Sequence, residues 1–127
     1  MRRLILSALA LTMLSCGSAN ALALRKMSEK EMTAAADVVV TGRVIGIGFS
    51  HDDPFDPKLV TEFAAVLVES GQKGVPALPL KVMLSPGIAE ARPVCCITGA
   101  RYKMHLLRLR NGMYESVDGR YGIVRLN

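Results

Sequence analysis

"ARYKMHLLRLRNGMYESVDGRYGIVRL", Ala100 to Leu126, is the stretch that decides the fold. Tyr102, Met104, Leu106 and Arg108 alternate with Lys103, His105, Leu107 and Leu109. That is the two-residue period of a strand whose successive side chains point to opposite faces. Asn111-Gly112 then reads as a type I′ hairpin turn, in which both central residues take positive φ. Met113 to Val117 returns, Asp118-Gly119 offers a second such turn, and Arg120 to Leu126 reads as a last short strand.

Further toward the N-terminus the same chemistry recurs. In "PLKVMLS", Leu80, Val82 and Leu84 alternate with Lys81, Met83 and Ser85, which predicts another strand. "LVTEFAAVLVES" predicts a strand over Thr61 to Glu69; alanines also suit a helix, but the segment follows Pro57, is rich in β-formers and ends in "SGQKG" turn chemistry. "DVVVTGRVIGIGF" is dominated by β-branched residues, with Gly42, Gly46 and Gly48 marking bulges, bends or close packing inside a long strand. Before it, Ser28-Glu29-Lys30-Glu31 fits a capping box that opens a short helix, about Glu29 to Ala36. Five or six strands and one short N-terminal helix make a small, mostly antiparallel β-barrel.

The chain has 127 residues, which suits one domain. Its start reads as an export signal over residues 1–23: Arg2 and Arg3, then an apolar run from Leu4 to Leu14, then Ala21-Leu22-Ala23 as a cleavage site. The run is shorter than the ~20 residues of a membrane span. Met13-Leu14-Ser15-Cys16 also resembles a lipoprotein processing site, and its use would anchor the protein through a lipid on Cys16. The mature domain is then residues 24–127, periplasmic or secreted. Without Arg2 and Arg3 it keeps 14 Lys and Arg against 11 Asp and Glu, a mild net +3. Export, the absence of Trp and a supply of only three Phe and three Tyr argue against nucleic acid.

The order of segments resembles the small bacterial netrin-like, or TIMP-like, OB-fold family. The matching motifs are Ala36-Asp37 with Val40, Gly42 and Val44; Lys73-Gly74; and Cys96, Gly99 and Tyr102. The resemblance covers about Ala36 to Leu109 and implies an OB-like barrel. Two departures limit it. Animal TIMPs grip a metalloproteinase zinc through an N-terminal Cys, and a chain starting at Leu24 has none there. Family members pair cysteines distant in sequence, whereas only Cys95 and Cys96 follow the signal.

Those two cysteines stand side by side. Across a trans peptide their Cα atoms lie ~3.8 Å apart, below the ~4.4–6.8 Å usual for a disulfide. Four readings stay open: one buried and one exposed thiol, a vicinal disulfide, an intermolecular bridge, and a metal or redox centre. His51, Asp52, Asp53 and Asp56 bring metal-ligand types within six residues, but without the Gly and distal Glu of an EF-hand loop; the plainer reading is a solvated Asx-turn loop. His105 has no Ser or carboxylate tied to it by motif, and reads as a face-filling or exposed His rather than a catalyst. Arg101, Lys103, Arg108, Arg110, Arg120 and Arg125 compose a candidate basic surface for anionic headgroups or an acidic protein, although alternation puts Arg108 opposite Lys103.

No catalytic constellation, and no cofactor motif, is present in this pattern. The expectation is an exported, non-enzymatic OB-fold module that binds a protein or an envelope component, with membrane attachment only through Cys16. The alternative is a metal- or thiol-dependent periplasmic enzyme or redox sensor using Cys95 and Cys96.

Overall fold

Ser28 opens the helix by accepting a bond from the Glu31 amide at 3.1 Å while the Glu31 carboxylate accepts from the Ser28 amide at 3.1 Å, so the capping box forms as its sequence predicts. This helix, α1, runs Glu29–Ala35. It is followed by six strands: β1 Val38–Ser50, β2 Thr61–Lys73, β3 Leu80–Met83, β4 Arg101–Arg108, β5 Tyr114–Ser116 and β6 Ile123–Leu126. These come from a computed structural model that describes residues 26–51, 56, 58–84 and 92–126. The expected signal over residues 1–23, Cys16 within it, and Asp52 and Asp53 lie outside the described residues.

The strands form one ring-like sheet. β1 pairs with β2, β2 with β3, β3 with β5, β5 with β4, and β4 returns to β1. One edge of β4 belongs to β1; the other is shared, with β5 along Leu106–Arg108 and β6 along Arg101–Met104. All pairings are antiparallel except β3 with β5, which is parallel and meets at Val82 and Tyr114. The sheet is therefore mixed but mostly antiparallel, as the alternation had suggested. Parallel neighbours need a crossover between them, and here the chain leaves β3, forms β4 and returns as β5.

Inside the ring, Val38, Val40, Val44, Val66, Leu80, Val82, Tyr102, Met104, Leu106 and Tyr114 make the main core. Outside it, α1 lies on the other face of β1 and β4 and buries Met32 and Ala36 against Val39 and Val117. Lys73, from β2, donates its ammonium to the Thr33 and Ala34 carbonyls at 2.9 and 3.1 Å, supplying the cation that the last turn of α1 lacks. Gly74 follows at φ 67°, with the Asp37 carbonyl where a Cβ would sit. A Lys-Gly pair is thus required there by both charge and space.

Two turn expectations separate. At Asp118-Gly119 both residues take positive φ, 57° and 52°. At Asn111-Gly112 only Gly112 does, at 83°, so that turn is not type I′. Instead the Asn111 side chain accepts from the Met113 amide at 3.0 Å and the Gly112 amide donates to the Leu109 carbonyl at 3.2 Å, an Asx-type closure that needs no left-handed Asn. The expected last strand also divides, into a single 3-10 turn over Gly119–Tyr121 and then β6.

Candidate functional site

The stretch from Pro93 to Ala100 leads into β4 and docks on β1. The Gly99 amide donates to the Val44 carbonyl at 2.7 Å, and the Val44 amide donates to the Ala100 carbonyl at 3.0 Å, extending the β1–β4 ladder past its last paired residues. Arg43 donates its guanidinium to the Gly99 carbonyl at 3.0 Å. The chain reverses between Ile97 and Ala100, with Gly99 at φ 91° supplying the left-handed residue. The fully buried Tyr102 sends its hydroxyl out of the core to accept the Ile97 amide at 3.0 Å.

Within this frame Cys95 and Cys96 are joined as a disulfide, so of the four readings the structure shows the vicinal bridge. Their Cα atoms are 3.1 Å apart across a cis peptide. The pair is half-buried and packs on the main core, while its neighbours Val94 and Ile97 are 64% and 58% exposed. Apolar side chains therefore face solvent on both sides of the bridge.

Beyond Val44 the β1–β2 hairpin continues as an arm that β4 does not reach. The register shifts between Val44 and Gly46. Past that bulge Ile45 and Phe49 stand 57% and 68% exposed. Phe63 lies over Gly48, close enough that a Cβ there would sit 2.6 Å from the ring. Leu67, opposite Arg43 at the base of the arm, is 57% exposed. Only part of the apolar content of each of these strands therefore joins the core.

A second cluster sits under α1. His105 is fully buried, and its Nδ1 donates to the Gly122 carbonyl at 2.8 Å. Its Nε2 is left without a hydrogen bond and lies 3.6 Å from Glu29 Oε1. Glu29 also pairs with the Lys103 ammonium. That hydrogen bond, and after it the charges of Lys103 and His105, hold the Glu29 carboxyl below its ordinary range against the opposing effect of partial burial. An open groove of about 490 Å³ adjoins, lined by Lys26, Met27, Ser28, Glu29, Tyr121 and Val124 among others. The enclosed imidazole has no access to a substrate; it positions β4 against Gly122 and faces the first turn of α1. The sequence had paired His105 with no carboxylate, because Glu29 lies 76 positions away and meets it only through the docking of α1.

The other sequence candidates are not gathered into one site. Arg101 pairs with Glu69 at 2.6 Å and Lys103 with Glu29, while Arg108 donates to the Val75 carbonyl at 2.6 Å. Arg120 lies over the Tyr121 ring at 5.5 Å, and Arg110 and Arg125 are exposed. His51 is exposed, and Asp56 accepts the Lys58 amide at 2.9 Å in an Asx turn. Among the described residues no three His, Cys, Asp or Glu side chains converge as a metal site. No family model, curated protein or solved structure matches the chain.

Proposed function

We propose that this protein is an exported, non-enzymatic binding module of OB-like build, which takes a protein or envelope component on its hairpin arm and on the loop that carries the cysteine bridge. One observation carries this reading. Of twelve large apolar side chains that stand exposed among the described residues, eight lie on the arm, its base or that loop. Scattered exposed apolar residues are ordinary on any surface, whereas their concentration in one region marks an interaction site. They are presented by a ring-like sheet in which β4 returns to β1 around a buried core. The resemblance in motif order supports an OB-like, exported module.

The test uses the full chain recovered from the envelope of its own host. Phe49→Asp and Ile97→Asp should each lose the captured partner while keeping the far-UV circular dichroism of the parent. Val75→Asp, in the β2–β3 connection, should retain it. Equal capture by all three variants, or no specific partner with the parent, would overturn the reading. The mass of the recovered chain tests export directly, since processing after Ala23 leaves Leu24 as the first residue.

A further inference from the structure

The Cys95–Cys96 bridge is not a staple. A disulfide stabilises chiefly by restricting the unfolded chain, and its effect grows with the length of the loop that it closes. Neighbouring residues close the smallest loop available. The main core is built instead from buried side chains, nearly all of them on the strands, and the half-buried cysteines pack against it. The pair is also reachable: it is half-buried and flanked by two exposed apolar side chains.

Its setting localises any change. On the C-terminal side the chain is bolted to β1 by the Gly99, Ala100 and Arg43 bonds. One residue after Cys96, the Ile97 amide is tied to the Tyr102 hydroxyl. Opening the bridge frees the two cysteine side chains to turn independently, and their chain neighbours are the exposed Val94 and Ile97. Among the described residues there is no further cysteine to complete an exchange, and the step considered is reduction by an external dithiol.

We propose that Cys95 and Cys96 form a reversible thiol–disulfide site, reduced by an external dithiol, whose state sets how the loop presents Val94 and Ile97. The thiolate of the dithiol attacks one cysteine sulfur. The Cys95–Cys96 sulfur–sulfur bond breaks, a mixed disulfide forms, and the displaced cysteine leaves with the electron pair and takes a proton. The second thiol of the reductant attacks the mixed disulfide, closing its own disulfide and releasing the other cysteine, which is protonated in turn. Two electrons and two protons pass from the dithiol to the protein. The chemistry stands by itself; the regulatory consequence rests on the binding reading above.

The experiment needs no partner. The purified full chain, folded and air-oxidised, is equilibrated in mixtures of reduced and oxidised dithiothreitol, quenched with iodoacetamide and weighed. In parallel, amide spectra follow Ile97 and Gly99 against Val39 and Val117. The expected result is a two-electron titration without denaturant, passing from alkylation at neither Cys95 nor Cys96 to alkylation at both, with the adducts assigned by peptide mass so that Cys16 is counted separately. The Ile97 resonance should move with it while Val39 and Val117 stay in place. The double variant Cys95→Ser/Cys96→Ser should melt within about 8 °C of the oxidised parent, as fits a bridge of little structural weight. Free Cys95 and Cys96 thiols in the air-oxidised native protein, reduction only in denaturant, an Ile97 signal that ignores the redox state, or a larger loss of melting temperature would each overturn the proposal. A chain that titrates but captures no partner refutes the binding reading alone, and one that captures a partner but does not titrate refutes the redox site alone.

Discussion

Glu29 is the residue through which the helix, β4 and pH meet. Its carboxylate takes the Lys103 ammonium and faces the bare Nε2 of His105 at 3.6 Å. Because hydrogen bonding to Lys103 lowers its pKa in the folded chain, its contribution to stability is fully present above the unfolded value of 4.5 and is lost as pH falls through the folded value. The side chain is more than half exposed, so solvent screens the pair and its worth is under about 1 kcal/mol. Glu29→Gln should therefore lower the urea midpoint slightly at pH 7, and the gap between variant and parent should narrow as the pH falls below the ordinary glutamate range. Urea titrations at the two pH values check this, and an unchanged gap would assign the loss to helix capping. Nothing in the sequence announces the contact, since Glu29 and Lys103 are 74 positions apart and neither lies in a shared motif. The Cys95–Cys96 pair is the opposite case: adjacency alone restricts it to a few chemical states, and only the choice among them needed the fold.

At the scale of elements, β1 shows what its glycines are for. A Cβ on Gly42 would sit 2.5 Å from Val66 Cγ1 and 2.9 Å from the Leu67 carbonyl, where β2 crosses closely and the register shifts. At Gly46, three residues past Arg43, the same atom would meet nothing within 4 Å. Gly42→Ala should cost about 1–3 kcal/mol, because backbone on the partner strand must move. Gly46→Ala should be neutral within about 0.5 kcal/mol or slightly stabilising. Denaturation midpoints of the two variants decide between this account and one in which both glycines are simply flexible. The sequence marked these positions as bends or close contacts but held no signal separating one from the other. It also marked the helix well, since a capping box is local. Alternation was readable where a strand has one buried face, as in Lys103-Met104, and failed in Val38-Val39-Val40 and His105-Leu106-Leu107. There α1 covers the outer face, Val39 pairs with His105 and Val38 with Leu106, and both faces become apolar. An unbroken apolar run inside an alternating strand was thus the available sign of a second layer. On the arm the failure is reversed: the bulge after Val44 turns Ile45 outward, and a bulge is a tertiary decision that composition does not carry.

For the whole molecule the question is whether the ring and the helix layer fold as one. They share their central strands: Val38 and Val40 point into the ring while Val39, between them, packs under Met32 and against Val117. A strand cannot lose order on one face and keep it on the other, because adjacent residues of the same backbone serve both cores. Met32→Ala removes the main side chain that α1 buries, and a buried Met replaced by Ala typically costs about 2–5 kcal/mol. The loss should fall near the lower end, because the site lies at the outer layer, where α1 can settle inward. The unfolding should nonetheless remain a single transition. The chain has no Trp and three Tyr, of which Tyr102 and Tyr114 are fully buried in the ring, so tyrosine fluorescence reports the inner core. Far-UV circular dichroism reports α1 and the strands together. Coincident urea midpoints by the two probes, both shifted down in Met32→Ala, would show one cooperative unit in which the helix layer supports the ring. A dichroism change that precedes the fluorescence change would instead show that α1 detaches first, leaving Val39 and Val117 open and adding a second apolar surface to the molecule.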